Sequence, residues 1–161
     1  MRQTASLMKM PLLLVPAMLC TSALQAVERP NILVVYSERP DGMILARGGR
    51  AQGYALWLKQ GRPAFTVVID NKPITIQAKE AVTGWATVVG TITSDRQATL
   101  HVDGRFVADA ALPGLIERNP NEAMQIGADL GSPVVEPVPP KFAGWIERVR
   151  LFSGEYKSEK P

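Results

Sequence analysis

Two tryptophans and two arginines are the residues of this chain best suited to holding a ligand: Trp57, Trp145, Arg47 and Arg148. An aromatic ring offers a flat apolar surface to a sugar ring, and a guanidinium group forms paired hydrogen bonds with sulfate or carboxylate groups. We therefore predict that these four residues contact a polysaccharide. The alternative for each tryptophan is burial in a core, and for each arginine a solvated position at a strand edge.

Catalytic chemistry has little support in the same sequence. His101 is the only histidine and Cys20 the only cysteine, whereas metal sites and nucleophile–base pairs need partner residues. Glycoside hydrolysis needs two carboxylates that face one another. The candidate glutamates are separated in sequence, at positions 117, 122, 136 and 147. The sequence therefore predicts no enzyme activity, with His101 an ordinary residue on the polar side of a strand.

The first 26 residues have the composition of a secretory signal peptide. Arg2 and Lys9 precede the almost wholly apolar run Met10–Leu19, and small and polar residues follow to Ala26. The apolar run is shorter than the roughly 20 residues of a membrane span. We predict cleavage after Ala26, or else after Ala23, and a secreted or periplasmic protein. An uncleaved anchor is the alternative.

Removal of that segment changes the charge and the cysteine content. Arg2, Lys9 and Cys20 would be lost, which leaves 16 basic and 15 acidic residues, a net charge of +1, and no thiol. A protein of such balanced charge has no general attraction for polyanions, so nucleic acid is not an expected partner.

The rest of the chain has the pattern of short β-strands. Residues 54–59 alternate between two faces, and Asp103-Gly104 is a strong signal for a tight turn. Turn residues recur at intervals of about 8–12 residues, and no stretch has a sustained helical period. If Ile146, Val149 and Leu151 all face a core, the closing strand needs a β-bulge near Glu147–Arg148. We predict an all-β fold, an antiparallel β-sandwich.

Several segments together resemble a known family. They are Gly42-Met-Ile-Leu-Ala-Arg-Gly48, Tyr54-Ala-Leu-Trp-Leu58, Trp85-Ala-Thr-Val-Val-Gly-Thr91, Leu100-His-Val-Asp-Gly104, Gln125-Ile-Gly127 and the closing strand Phe142–Phe152. Their order and spacing resemble a laminin-G-like domain, a concanavalin A-like jelly roll, over residues 41–153. On this reading residues 27–40 are a leading strand and linker, and residues 154–161 are a polar tail.

The sequence of these segments is most similar to the laminin-G-like module at the C-terminus of secreted bacterial sulfatases. Residues 28–33, Glu-Arg-Pro-Asn-Ile-Leu, also resemble the opening strand of a sulfatase catalytic domain. The paired metal-binding aspartates and the C/S-x-P-x-R nucleophile pattern of that domain are missing from the sequence. The resemblance therefore implies the accessory module without sulfatase activity.

The resemblance also implies calcium as a possible ion. Calcium takes oxygen ligands from carboxylates and loop carbonyls. Asp129 is the only carboxylate of the loop Gly127–Gly131, and Asp70 and Asn71 are possible further ligands. The alternative is an aspartate that only stabilises a turn.

The sequence thus predicts a secreted, non-catalytic laminin-G-like module that binds an extracellular polysaccharide, including sulfated glycans, or docks on another secreted protein. The alternative is a truncated sulfatase-related protein whose module is purely structural and has no ligand of its own.

Overall fold

The computed structural model describes residues 33–37, 41–137 and 141–152. The predicted signal peptide (residues 1–26) and polar tail (154–161) lie outside these residues. The described chain forms ten strands in two five-stranded sheets, and every strand pairing within them is antiparallel. The predicted antiparallel β-sandwich is confirmed. Among the described residues, no helix has the length and apolar character needed to cross a membrane.

The first sheet, sheet A, has the order β10-β1-β6-β7-β8. Its strands are β1 (Leu33–Ser37), β6 (Ala86–Ile92), β7 (Gln97–Val102), β8 (Arg105–Ala111) and β10 (Gly144–Val149). The leading strand β1 lies between β6 and the closing strand β10, so it completes the sheet.

The second sheet, sheet B, has the order β5-β4-β3-β2-β9. Its strands are β2 (Gly42–Gly48), β3 (Gly53–Lys59), β4 (Arg62–Ile69), β5 (Lys72–Gln77) and β9 (Gln125–Ile126). The strands β2 to β5 follow one another in the chain as neighbours, which is the pattern of a β-meander.

Tight turns set the register of the hairpins. Asp103 and Gly104 have φ angles of 49° and 75°, and the flanking Val102 and Arg105 pair directly. Two positive φ angles in a two-residue loop are typical of a type I′ turn, whose twist matches that of the strands it joins. The turn predicted from Asp103-Gly104 is therefore confirmed.

The closing strand contains the predicted bulge. Ile146 pairs with Val35 and Arg148 with Val34, so Glu147 is the extra residue. Ile146 and Val149 pack against the core on one side of the bulge and the other. Leu151 lies beyond β10 and is 39% exposed, so the condition that all three residues face the core is met by Ile146 and Val149 but not by Leu151.

Two apolar clusters hold the sandwich together. The larger one fills the space between the sheets and includes Leu58, Phe65, Val67, Val88 and Leu100. The smaller one contains the alternate residues of sheet B, on its outer face, together with Val134 and Val135 from the loop after β9. The residues of sheet B in this cluster are Met43, Ala46, Ala55, Trp57, Ala64 and Val68. Sheet B is therefore buried on both faces over β2–β4.

Candidate functional site

Trp57 lies in the smaller core and not on a ligand-binding surface. Its side chain is only 6% exposed, and its indole Nε1–H donates a hydrogen bond of 3.0 Å to Thr66 Oγ1. A ring without an accessible face cannot stack on a sugar, so the prediction of a ligand contact at Trp57 is wrong. The physical reason is the loop segment containing Val134, which covers this face of sheet B.

Trp145 and Arg148 share the outer face of sheet A. Both are exposed, Trp145 to 62%. Because Ile146 and Val149 face the core, Trp145 and Arg148 point to the opposite side, and the bulge at Glu147 keeps them on that one side. These two predicted contact residues are therefore brought together, although they are three positions apart in the chain.

Two further aromatic residues are exposed on the same face, and the sequence analysis did not identify either as a contact. Trp85 is 52% exposed and Phe106 is 58% exposed. A tryptophan in a β-sandwich is more often a core residue, and Trp85 departs from that rule. Its position three residues before the inward-facing Val88 was the available signal, because alternation places the two residues on opposite faces.

The residues in the middle of this outer face are hardly accessible to solvent. Val89, Thr91 and His101 belong to it and are buried. The imidazole of His101 meets the Phe106 ring edge to face, at 5.6 Å between centroids. Burial lowers the pKa of His101 below its ordinary value, so the ring is neutral at physiological pH. This is the ordinary strand role expected of His101, in a more buried setting than predicted.

Arg47 lies in a different place, at the end of β2 in sheet B. Its Nη2 donates a hydrogen bond of 3.3 Å to Oδ1 of Asn119, in the segment between β8 and β9. A cavity of about 370 Å³ lies beside it. Arg47 and Arg118 line this cavity, which we call the basic cavity. Its other described lining residues are apolar or neutral: Tyr54, Ile92, Thr93, Ser94, Leu115, Ile116, Asn119 and Pro120. The structure thus separates Arg47 from Trp145 and Arg148.

The two arginines of the basic cavity have no salt-bridge partner among the described residues. Among the residues that the structure describes, none of those lining the cavity carries a carboxylate. Within residues 33–37, 41–137 and 141–152, the ion pair is that of Arg50 with Glu136, at 2.5 Å. Asp95 lies nearby but accepts a hydrogen bond from the Thr93 hydroxyl. An unneutralised pair of guanidinium groups beside apolar walls favours an anionic ligand group.

Asp129 is buried in the loop after β9, with 3% exposure. Its Oδ2 accepts the Val134 N–H at 2.8 Å, and its Oδ1 has no hydrogen-bond partner among the described residues. Burial raises the pKa of this carboxyl, the nearby Glu122 raises it further, and the Val134 hydrogen bond opposes both. The carboxylate anchors the loop segment that covers Trp57.

The surroundings of Asp129 fit calcium only in part. The unpartnered Oδ1 and the nearby Glu122 are suitable oxygens, yet Glu122 already accepts the Ser132 N–H. Calcium needs six to eight ligands. In the described part of the chain, no three His, Cys, Asp or Glu residues are grouped for a metal ion. Asp70 and Asn71 line a neighbouring cavity together with Glu122. Calcium at Asp129 stays a prediction, and no step of the proposed function depends on it.

Comparison with known proteins gives a consistent answer about the fold. The family described as Laminin G domain matches residues 36–154. No curated protein matches the sequence. Among solved structures, the mouse laminin α1 chain domains LG4-5 align with a TM-score of 0.64 at 16% identity, covering 85% of this chain and 39% of the laminin chain.

A bacterial module is also similar. The CBM40 of the Ruminococcus gnavus IT-sialidase aligns with a TM-score of 0.60 at 16% identity, covering 79% of this chain and 77% of that chain. The same CBM40 bound to α2,3-sialyllactose aligns at 0.55 and 15% identity, covering 73% and 71%. At such identities these likenesses concern the fold.

Proposed function

The chain belongs to the laminin G domain family, and we propose that it is a secreted, non-catalytic module that binds an extracellular polysaccharide carrying acidic groups. One observation carries this proposal, namely the basic cavity, whose described lining has two arginines and no carboxylate. Export is proposed from the signal-like residues 1–26.

The arrangement of Arg47 supports recognition of a sulfate or carboxylate group. Its bond to the neutral Asn119 amide holds the guanidinium in place without cancelling its charge. Arg118 stands one residue before Asn119 and lines the same cavity. A planar fork of N–H donors matches the two oxygens of a carboxylate or sulfate group, and such charge-assisted bonds are stronger than neutral ones.

The other walls of the cavity suit the rest of a sugar unit. Tyr54 and Thr93 bring hydroxyl groups, while Ile92, Leu115 and Ile116 form an apolar side. A volume of about 370 Å³ is within the range of small-molecule sites. The cavity therefore has room for a sugar unit beside the two arginines.

Trp145 and Arg148 remain proposed contacts at a separate surface. They are exposed side by side on the outer face of sheet A and can engage the ring and the acid group of another part of the same polymer. The solved CBM40 complex with sialyllactose is a protein of similar fold with an acidic sugar ligand, which supports this class of ligand.

A docking role is the second candidate. The exposed Trp145 favours it, because exposed tryptophan is enriched at protein interfaces as well as at sugar sites. The resemblance of residues 28–33 and of the closing strand to secreted sulfatases suggests a sulfatase-like partner. Such a module would bind its protein partner and no glycan.

A glycan array at two salt concentrations tests the proposal, with sulfated, carboxylated and uncharged polysaccharides side by side. We expect binding to acidic polymers that weakens as salt increases. Arg47→Gln and Arg118→Gln should each weaken it by about tenfold, the typical loss of a hydrogen bond to a charged group. Arg62→Gln is the matched control, because Arg62 is exposed in the β3–β4 hairpin and lies outside the cavity.

Three results would contradict the proposal. The first is the absence of binding to every acidic glycan, which would favour docking. The second is an equal loss in Arg62→Gln, which would mean attraction by overall charge and no defined site. The third is unchanged affinity in both cavity variants.

A further inference from the structure

A second cleft lies at the opposite end of the sandwich from the basic cavity. Strand β7 begins at Gln97, three residues after Ser94 of the basic cavity, and ends at Val102, which lines this second cleft with Asp103. Six residues of strand span roughly 20 Å. The two cavities are therefore separate sites.

The cleft is large and contains two exposed aromatic side chains. Its volume is about 630 Å³, and it lies between the segment that links β5 to β6 and the β7–β8 hairpin. We call it the aromatic cleft, defined by Trp85 and Phe106 together with the charged residues Lys79, Glu80, Asp103 and Arg105. More than half of the surface of each aromatic side chain remains accessible.

The two aromatic residues are held by the strands behind them. Trp85 directly precedes Ala86, which pairs with Val35 of β1, and Phe106 pairs with His101 of β7. The edge-to-face contact with the buried His101 fixes the Phe106 ring. A ring with such a contact loses less conformational entropy when a ligand covers it, and this applies to Phe106.

The charges of the cleft balance. Lys79 and Arg105 bring two positive groups, and Glu80 and Asp103 bring two negative ones. Among these, Asp103 has a structural bond, because its Oδ1 accepts the Thr87 N–H at 2.7 Å. Such a rim supplies both donors and acceptors of hydrogen bonds but has no excess charge. It therefore differs in kind from the basic cavity.

We propose that the aromatic cleft binds an uncharged sugar unit. A pyranose ring has an apolar face that can cover Trp85 or Phe106, and its hydroxyl groups both donate and accept hydrogen bonds, as the balanced rim requires. A purely apolar occupant would leave the four charged groups desolvated and unpaired, which is costly. An anionic sugar would gain no net attraction, because the carboxylates of Glu80 and Asp103 offset the positive charges of Lys79 and Arg105.

The consequence is a module with two ends of different specificity. The basic cavity takes an acidic group and the aromatic cleft takes a neutral sugar, so one mixed polymer can be held at both ends. Binding at two linked sites raises overall affinity through effective concentration, with no new contact needed. The neutral site does not depend on the acidic site, and each can fail without the other.

The experiment follows the indole N–H signals of the three tryptophans by NMR while uncharged oligosaccharides are added. Cellohexaose, maltohexaose, xylohexaose and mannohexaose are the probes. We expect at least one to shift the Trp85 signal in a saturable way, independently of salt. The Trp57 signal is the internal control, because this N–H is buried and bonded to Thr66, and it should not move.

Substitutions complete the test. Trp85→Ala should weaken the binding of that oligosaccharide by about tenfold or more, as expected for an aromatic anchor. Leu130→Ala removes an apolar side chain of similar exposure (53%) in the loop after β9 and should change nothing. Arg118→Gln should leave neutral binding intact, which separates this proposal from the acidic site.

No saturable shift with any of the four probes would overturn the proposal. It would equally fail if calorimetry found the same affinity for that oligosaccharide in Trp85→Ala as in the unsubstituted protein, or if acidic oligosaccharides competed for the Trp85 signal with higher affinity.

Discussion

The buried imidazole of His101 and the exposed ring of Phe106 meet edge to face on the outer face of sheet A, with their centroids 5.6 Å apart. The contact joins β7 to β8 just beyond the Asp103–Gly104 turn. It therefore places a titratable ring directly against an aromatic side chain of the aromatic cleft.

This contact predicts a dependence of stability on pH. Burial lowers the pKa of His101 in the folded chain, so the unfolded chain binds the proton more readily. Stability should be complete above pH about 6.5, the ordinary histidine pKa, and should fall as the pH decreases from there toward the lower folded pKa. His101→Gln should remove this component. Urea unfolding of both proteins between pH 5 and 8 is the measurement, and parallel curves would contradict the prediction.

The close approach of Phe65 to Gly90 predicts that a side chain added at Gly90 lowers the stability of the fold. A Cβ atom added there would lie 2.7 Å from Cδ2 of the Phe65 ring. Gly90→Ala should destabilise the fold by about 1–3 kcal/mol, the range typical of overpacking. Gly114→Ala is the control, because its new Cβ would meet Ile69 at an ordinary 3.7 Å. If denaturant unfolding finds both variants equally stable, the close approach of Phe65 is not constraining.

The buried carboxyl group of Asp129 predicts that its replacement by a neutral side chain stabilises the fold. Its raised pKa means that the folded chain disfavours the carboxylate, so this group contributes most below its unfolded pKa of about 3.9 and loses that contribution as the pH rises through the folded pKa. Asp129→Asn retains an acceptor for Val134 and should raise stability at pH 7 by about 1 kcal/mol. The gain should shrink as the pH falls.

The same pair of proteins tests the calcium prediction. The first thermal unfolding series is run with a chelator. Calcium chloride is then added, and a bound ion would raise the melting temperature of the unsubstituted protein but not that of Asp129→Asn. Equal curves with and without calcium in both proteins would reject Asp129 as a ligand.

The hydrogen bond between Trp57 and Thr66 predicts that substitutions at these two residues have coupled effects on stability. Trp57→Phe removes the indole donor to Thr66, whose hydroxyl also shares a 2.8 Å hydrogen bond with Thr75. We expect a loss of about 1 kcal/mol or more. In the background of Thr66→Val the same substitution should cost less, since the partner is already absent. A double-mutant cycle in urea measures the coupling, and strict additivity would mean that the bond contributes nothing.

Much of the fold was predictable because its signals are local. Alternation in β3 and the Asp103-Gly104 turn act over a few residues, and both are present as expected. The bulge at Glu147 was also predictable, because the spacing of Ile146 and Val149 cannot otherwise place both on one face. The exposure of Leu151 was not predictable, because β10 ends before this residue and the end of β10 depends on pairing with the distant β1.

The candidate sites were much less predictable. Arg118 was missed because it lies in a segment without periodic pattern, and only the fold brings it to the cavity of Arg47. Trp145 and Arg148 were predicted as ligand contacts, and both are exposed, but their grouping on one face depended on the bulge.

The three tryptophans show which properties follow from the sequence alone and which depend on the tertiary structure. The sequence by itself determined the strand, the face and the turn for each segment, because these depend on backbone geometry and on neighbours in the chain. It did not determine which outer face is covered. Trp57 is buried because the distant Val134 loop lies over sheet B, whereas Trp85 and Trp145 are accessible at the end of sheet A. Exposure depends on contacts between residues far apart in sequence, so only the tertiary structure decided which aromatic residues can meet a ligand.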